Sequence, residues 1–196
     1  MCLAIAKPAS VMIPEDHLRT GWVHNSHGAG YSFVKDGKVV ICKGFMKLKE
    51  FMEAYLADAQ ANTDSPFIVH FRIASMGDNS DANTHPFPIE GGALIHNGTL
   101  SGTSAVYSRG PSDTNRFAQM YSKHLSFDNI EKHKDKWNKA LEYSKLVMLY
   151  DDKRYQIVNE SLGLWVDGVW YSNTSFRGYS VHGANACLPA IWKSMQ

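Results

Sequence analysis

The feature that most restricts this chain is a set of turn signals lying between short apolar, β-prone runs. Lys35-Asp36-Gly37 separates Tyr31 to Val34 from Lys38 to Cys42, Asp151-Asp152-Lys153 separates Lys145 to Tyr150 from Arg154 to Asn159, and Asp167-Gly168 separates Leu164 to Val166 from Val169 to Tyr171. Asp-Gly at such a join supplies the positive φ values of a type I′ turn, whose twist matches the strands on either side. Each signal predicts a hairpin, and hairpins pair their strands antiparallel. Leu3 to Ala6, Pro66 to Phe71 and Gly91 to Ile95 read as further strands, and Pro8 to Gly21 as a loop or short helix. Apolar residues at Phe45, Leu48, Phe51, Met52, Tyr55 and Leu56 give the stretch to Ala61 one buried helical face. Ser112-Asp113-Thr114, with Pro111 just outside, has the form of an N-cap for a helix to about His124, and a further helix is expected from Asn129 to about Tyr143. Strands outnumber helices and fall in groups between them, so the pattern predicts an α+β fold with antiparallel sheets.

At 196 residues and 44% hydrophobic content, the chain can bury one sizeable core and is read as a single domain, 1–196. Its 20 basic and 19 acidic residues leave a formal charge of +1, which gives no electrostatic footprint for nucleic acid or an anionic membrane. Cys2, Cys42 and Cys187 are far apart, with no C-x-x-C, so neither a disulfide framework nor a zinc ribbon is suggested and a reducing, cytoplasmic setting is expected. Lys7-Pro8 and Pro14-Glu15-Asp16 interrupt the apolar start, leaving no signal-peptide core and no membrane span. Sequons at Asn97, Asn159 and Asn173 carry no meaning without secretion.

Met1-Cys2-Leu3-Ala4 is the chemically unusual stretch. A small residue behind the initiator methionine permits its removal, and Cys2 would then carry a thiol and a free amine together. The amine titrates near ~8 and the thiol near ~8.5, so the amine can act as base to its own nucleophile at neutral pH. Taken alone, Cys2 reads first as a small buried residue opening a strand. If Met1 is kept, the nitrogen is a peptide nitrogen and cannot serve as base.

Other polar groups stand at the ends of predicted elements: His70-Phe71-Arg72-Ile73-Ala74-Ser75, His96-Asn97-Gly98-Thr99 and Ser112-Asp113-Thr114. In this order behind Cys2, over roughly residues 2 to 120, they resemble the class II glutamine amidotransferases, a group of the N-terminal-nucleophile hydrolases. The resemblance implies a four-layer αββα sandwich of two antiparallel sheets. It implies Cys2 as nucleophile, Asn97 and Gly98 as oxyanion donors, Arg72 with Ser75 at the substrate α-carboxylate, and Asp113 at the α-ammonium. His85, in Thr84-His85-Pro86-Phe87, matches a histidine often found near the glutamine pocket. Each has a plainer alternative: Asn-Gly as a tight turn, Asp113 as a helix cap, His85 and His96 as structural histidines.

His70, His85 and His96 lack metal-site spacing and a companion Cys or acid, so no metal and no cofactor are expected. Gly28-Ala29-Gly30 lacks the third glycine of a phosphate fingerprint and instead resembles the small-residue strand start that packs beside the nucleophile strand. His27 stands where many members have an acid, and Ile73 where gated synthases often have tryptophan. The polar segment Gly77 to Pro88, too rich in Gly, Asn, Asp and Pro for regular structure, suits a lid.

The resemblance implies hydrolysis of L-glutamine to glutamate and ammonia through a Cys2 γ-glutamyl thioester. No synthase domain follows before Gln196, so a stand-alone glutaminase feeding a separate acceptor synthetase is expected. Two alternatives are an amidase of the same superfamily acting on another γ-glutamyl amide and a catalytically silent subunit with the same fold.

Overall fold

The computed structural model describes residues 2–178. Two antiparallel sheets lie face to face with helices on both outer sides. The first half contributes β1 (Leu3–Lys7), α1 (Glu15–His24), β2 (Ala29–Lys35), β3 (Lys38–Phe45), α2 (Leu48–Ala61) and β4 (Phe67–Phe71). Next come β5 (Phe87–Ile89), β6 (Gly92–Asn97), α3 (Asp113–Tyr121), α4 (Phe127–Lys132) and α5 (Lys134–Leu141). Two hairpins close the described chain, β7 (Lys145–Tyr150) with β8 (Tyr155–Val158) and β9 (Leu164–Val166) with β10 (Val169–Tyr171). One sheet has the order β3-β2-β4-β1-β10-β9 and the other β5-β6-β7-β8.

Alternation along the strands assigns each side chain to a layer. Leu3 and Ile5 of β1, and Phe67, Val69 and Phe71 of β4, face α1 and α2 in a cluster with Leu18, Phe51 and Tyr55. Their neighbours Ala4, Ala6 and Ile68 face the other way, onto Ala93, Ile95, Val147 and Leu149 of the second sheet. Leu94, Leu146 and Met148 turn outward to Phe117, Leu125 and Ile130. These apolar layers are the expected αββα sandwich. The helix-facing layer is strongly aromatic, with Phe33 and Phe67 stacked at 4.9 Å between ring centroids. Truncating a buried ring such as Phe67 to alanine would cost about 3–5 kcal/mol.

The three hairpins form where the turn signals lie, with Asp167 and Gly168 at φ 48° and 78°. Gly30 is required where β2 passes the backbone, since a Cβ there would sit 2.8 Å from the Cys42 carbonyl and closer still to that of His85. Three stretches differ from expectation. The stretch from Glu15 forms a full helix that continues through Trp22 to His24. The helix expected from Asn129 breaks at His133 (φ −120°, ψ 24°) into α4 and α5. The segment from Gly77 to Pro88 is not irregular throughout: it holds a 3-10 turn at Asp81–Asn83 and opens β5. Proline is tolerated in β5 because this is an edge strand and Pro88 faces out. The final stretch, with Cys187, lies outside the described residues.

Candidate active site

The topology brings four chain segments to one edge of the space between the sheets. β1 begins there, β4 and β6 end there, and β10 ends there beside β1, with Ile5 opposite Tyr171 and Leu3 opposite Phe71. Cys2 therefore lies next to Arg72, and Asn97 is the last residue of the facing strand. The α3 N-terminus adds Asp113 to this neighbourhood, and Cys2 feels the charges of both Arg72 and Asp113.

Cys2 is a half-buried free cysteine. Its Sγ donates to the Ile73 carbonyl at 3.4 Å and accepts from the Ile73 N–H at 3.3 Å. Burial raises the thiol above its ordinary range, and the Ile73 N–H and the Arg72 charge offset this only in part. At neutral pH the sulfur is a thiol and needs a base to become a nucleophile. The Cys2 carbonyl accepts from the side-chain amide of Asn97 and, at 2.7 Å, from that of Asn173.

Arg72 is 3% exposed. Its Nη2 donates to the carbonyls of Asp78 (2.8 Å) and Met76 (3.2 Å), while the buried Nη1 has no protein partner. Burial disfavours the guanidinium charge, and Cys2, Asp78 and Asp113 favour it. A buried cation with one nitrogen unpaired is suited to an anionic ligand group. His27 fixes the chain around it: its N–H donates to the Arg72 carbonyl (2.9 Å) and its Nδ1 accepts from the Ala74 N–H (3.0 Å). Ser75 lies exposed on the following loop, its carbonyl accepting from Ser108 N–H at 3.1 Å.

Asn97 is fully buried, with Oδ1 unpartnered, and Gly98 follows at φ 143°, where a Cβ would run into Ser144. Asn-Gly here is the end of a buried strand turning sharply rather than a hairpin turn. Ser112 caps α3, its Oγ accepting from Asn115 N–H at 3.2 Å, so Asp113 is the first helical residue and not the cap. The Asp113 carboxylate accepts from the N–H groups of Leu100 and Thr114, each at 2.8 Å. A carboxylate has further lone pairs, and a cation can still approach it.

His85 is placed differently from expectation. It is 4% exposed, stacked on His70 at 3.8 Å and edge-on to Phe87, and its Nδ1 accepts from the His96 N–H at 3.2 Å. It supports the strand that carries Asn97 and does not line an open surface. The segment expected as a lid is also tied down. Asn83 donates to the Asp78 carboxylate (2.8 Å) and the Gly110 carbonyl (2.9 Å) and accepts from the Ser112 N–H (2.8 Å).

Asn173, His27 and Asp78 are site residues that the sequence patterns did not single out for these contacts. For Asn173 a signal existed: a polar Ser-Asn-Thr-Ser run directly after the apolar run to Tyr171, the same end-of-strand placement that marked Arg72 and Asn97. No group of His, Cys, Asp and Glu among the described residues is placed to hold a metal ion. No helix among them is long and apolar enough to cross a membrane.

No protein-family model matches the chain. An uncharacterized protein of Methanocaldococcus jannaschii is 31% identical over 169 residues, covering 84% of this chain and 44% of that protein. The glutamine–fructose-6-phosphate aminotransferase (isomerizing) of Aquifex aeolicus is 30% identical over 115 residues, covering 53% of this chain and 19% of that enzyme. Among solved structures, the glutamine phosphoribosylpyrophosphate amidotransferase of B. subtilis, complexed with ADP and GMP, superposes with a TM-score of 0.54. That match covers 90% of this chain and 42% of the other at 18% identity. The chain thus spans less than half the length of each of these relatives. In fold, this chain matches that amidotransferase: two antiparallel sheets packed face to face with helices outside them.

Proposed function

We propose that this domain hydrolyses L-glutamine to L-glutamate and ammonia through a γ-glutamyl thioester on Cys2, and that the ammonia passes to an acceptor enzyme in the cytoplasm. The observation that carries this reading is the meeting of Cys2, Arg72, Asn97-Gly98 and Asp113 at one edge between the sheets. With Met1 removed, the Cys2 amine takes the thiol proton as sulfur attacks the side-chain amide carbon. The oxyanion forms at the Gly98 N–H and the Asn97 amide, which turns from the Cys2 carbonyl to meet it. The amine returns the proton to the leaving nitrogen, the C–N bond breaks and ammonia departs. Water, deprotonated by the same amine, then attacks the thioester and releases glutamate and the thiol.

Arg72, with Nη1 free of protein partners, receives the α-carboxylate, and Ser75 supports that end of the substrate. Asp113 receives the α-ammonium, and His85 contributes from behind by holding His96. The acceptor is supported by two of the named relatives, whose names join glutamine to fructose 6-phosphate in one and to phosphoribosylpyrophosphate in the other.

The test is ammonia and glutamate release by the wild-type protein and by Cys2→Ala, with the intact mass of the native protein fixing its first residue. Release that depends on Cys2 and on loss of Met1 supports the mechanism. Full activity in Cys2→Ala would overturn it, while activity only on other γ-glutamyl amides would leave the chemistry and change the substrate. A folded, inert wild type would favour the silent subunit.

A further inference from the structure

The carbonyl of the nucleophile's own residue is held twice, and the two holders are built differently. Asn97 and Asn173 both donate a side-chain N–H to the Cys2 oxygen, whose two lone pairs accommodate both. The Asn173 amide has a fixed orientation, because its Oδ1 accepts from the Ser175 N–H at 2.9 Å and from the Ser175 hydroxyl at 2.7 Å. That leaves only Nδ2 to face Cys2. The Ser175 Oγ accepts in turn from the Asn25 amide at 3.1 Å, and the same amide donates to Gly21 in α1 at 2.9 Å. A tether therefore runs from the end of helix α1 through Asn25, Ser175 and Asn173 to the Cys2 main chain. The Asn97 side chain has no such tether, its Oδ1 being buried without a protein partner.

We propose that Asn173 is the positioning residue that keeps the Cys2 main chain in place while the Asn97 amide turns from the Cys2 carbonyl to the oxyanion. This rests on the glutaminase function above. Asn97 Nδ2 carries two hydrogens, and turning the planar amide toward the oxyanion draws the one that faces the Cys2 carbonyl away from it. Without Asn173, each turnover would strip the Cys2 carbonyl of its remaining side-chain donor as the thioester forms. The cost would fall on the transition state and spare the bound substrate, so it belongs in kcat and not in KM.

The experiment compares Asn173→Ala, Asn173→Asp and Ser175→Ala with wild type in steady-state glutaminase kinetics, beside a double-mutant cycle of Asn97→Ala and Asn173→Ala in urea unfolding. Asn173→Ala should lower kcat about tenfold or more with KM within about twofold. Asn173→Asp should not restore the rate, because a carboxylate cannot donate to the carbonyl although it keeps the bonds from Ser175. In the unfolding cycle each single variant leaves one amide on the Cys2 carbonyl and the double leaves none. Its midpoint should therefore fall by more than the sum of the two single shifts. A kcat unchanged in Asn173→Ala, or additive unfolding shifts, would overturn the proposal. If Asn173→Ala does not fold, Ser175→Ala removes the hydroxyl bond to Asn173 Oδ1 and the link to Asn25 while keeping the Ser175 N–H bond, and a smaller kcat loss at constant KM is expected; an unchanged kcat there overturns it. A wild type without glutaminase activity would count against the proposed function alone, since the unfolding cycle reads the shared carbonyl without substrate.

Discussion

His70 and His85 lie nearly face to face, 22° from parallel, and between them they grip both main-chain polar groups of His96. His70 Nε2 donates to the His96 carbonyl at 3.0 Å, and His85 Nδ1 accepts from the His96 N–H at 3.2 Å. β5 pairs with β6 only as far as Phe87 opposite Leu94, so these two imidazoles continue the ladder where the strand has run out. Both are neutral: His70 must carry its proton on Nε2 and His85 must keep Nδ1 bare.

This sets the first prediction, on pH. Burial pushes His70 down to about 3 and His96 down to about 4 from an ordinary 6.5, and pushes His85 well below it. Between the ordinary and the folded values the unfolded chain binds protons that the folded chain refuses. Stability is therefore complete above the ordinary value and is lost as pH falls toward the folded ones. Each histidine contributes a slope of up to ~1.4 kcal/mol per pH unit in that window. Urea midpoints between pH 7 and 4.5 should fall, and His96→Gln should make the fall shallower. An identical slope in His96→Gln would remove this histidine from the acid response.

The second prediction separates binding from rate. Arg72→Lys keeps a charge but loses the planar fork, and should raise KM for glutamine strongly with a smaller change in kcat. Asn97→Ala should lower kcat by about a hundredfold or more, as removal of one oxyanion donor does. Steady-state kinetics with the opposite pattern would exchange the two roles.

The third concerns Gly98. At φ 143°, with Ser144 against the position of a Cβ, Gly98→Ala meets both backbone strain and a collision. The expected loss is about 1–3 kcal/mol, read as a drop of several degrees in Tm. Adding Ser144→Gly should recover only part, because it removes the hydroxyl and Cβ while the Ser144 Cα stays 2.8 Å from the new methyl and the backbone strain remains. Full recovery would mean that the backbone angle costs nothing.

A fourth prediction concerns the connection between Asp78 and Ser112. Asn83 joins the two stretches through its carbonyl and amide, and Arg72 leans on the Asp78 carbonyl in the same knot. Asn83→Ala should cost about 1–3 kcal/mol, since it leaves the Ser112 N–H without its acceptor. Hydrogen exchange should quicken at Asp78 and Ser112 together. Faster exchange confined to one of them would show that Asn83 does not couple the stretches.

What the sequence made legible was local. The hairpins could be read because a type I′ turn is decided by the residues in it, as at Asp167-Gly168, and strand grouping gave the antiparallel α+β class, while the sandwich was implied only by the resemblance. Arg72 and Asn97 were visible because polar residues at the ends of apolar runs have few structural reasons to be there. β5 was hidden because Phe87-Pro88-Ile89 is short and carries a proline that only an edge position tolerates. The Asp78–Asn83–Ser112 knot was hidden because it joins side chains to backbone far along the chain, which no periodicity records. His85 was expected at the pocket, but its stacking on His70 depends on two sheets meeting, and sequence spacing says nothing about that.

The strand that carries the thiol is made first and secured last. β1 is stitched on one side to β4 and on the other to β10, and the Cys2 carbonyl is held by residues 95 and 171 positions further on. Contacts of such long range form late, because the intervening chain must be closed into loops before they can reward it. On the ribosome, Cys2 emerges long before Asn173 exists. A chain cut short before β10 would carry the sulfur with its backbone unsecured, so Cys2 gains its fixed main chain only when nearly the whole described domain has been synthesised and folded around it.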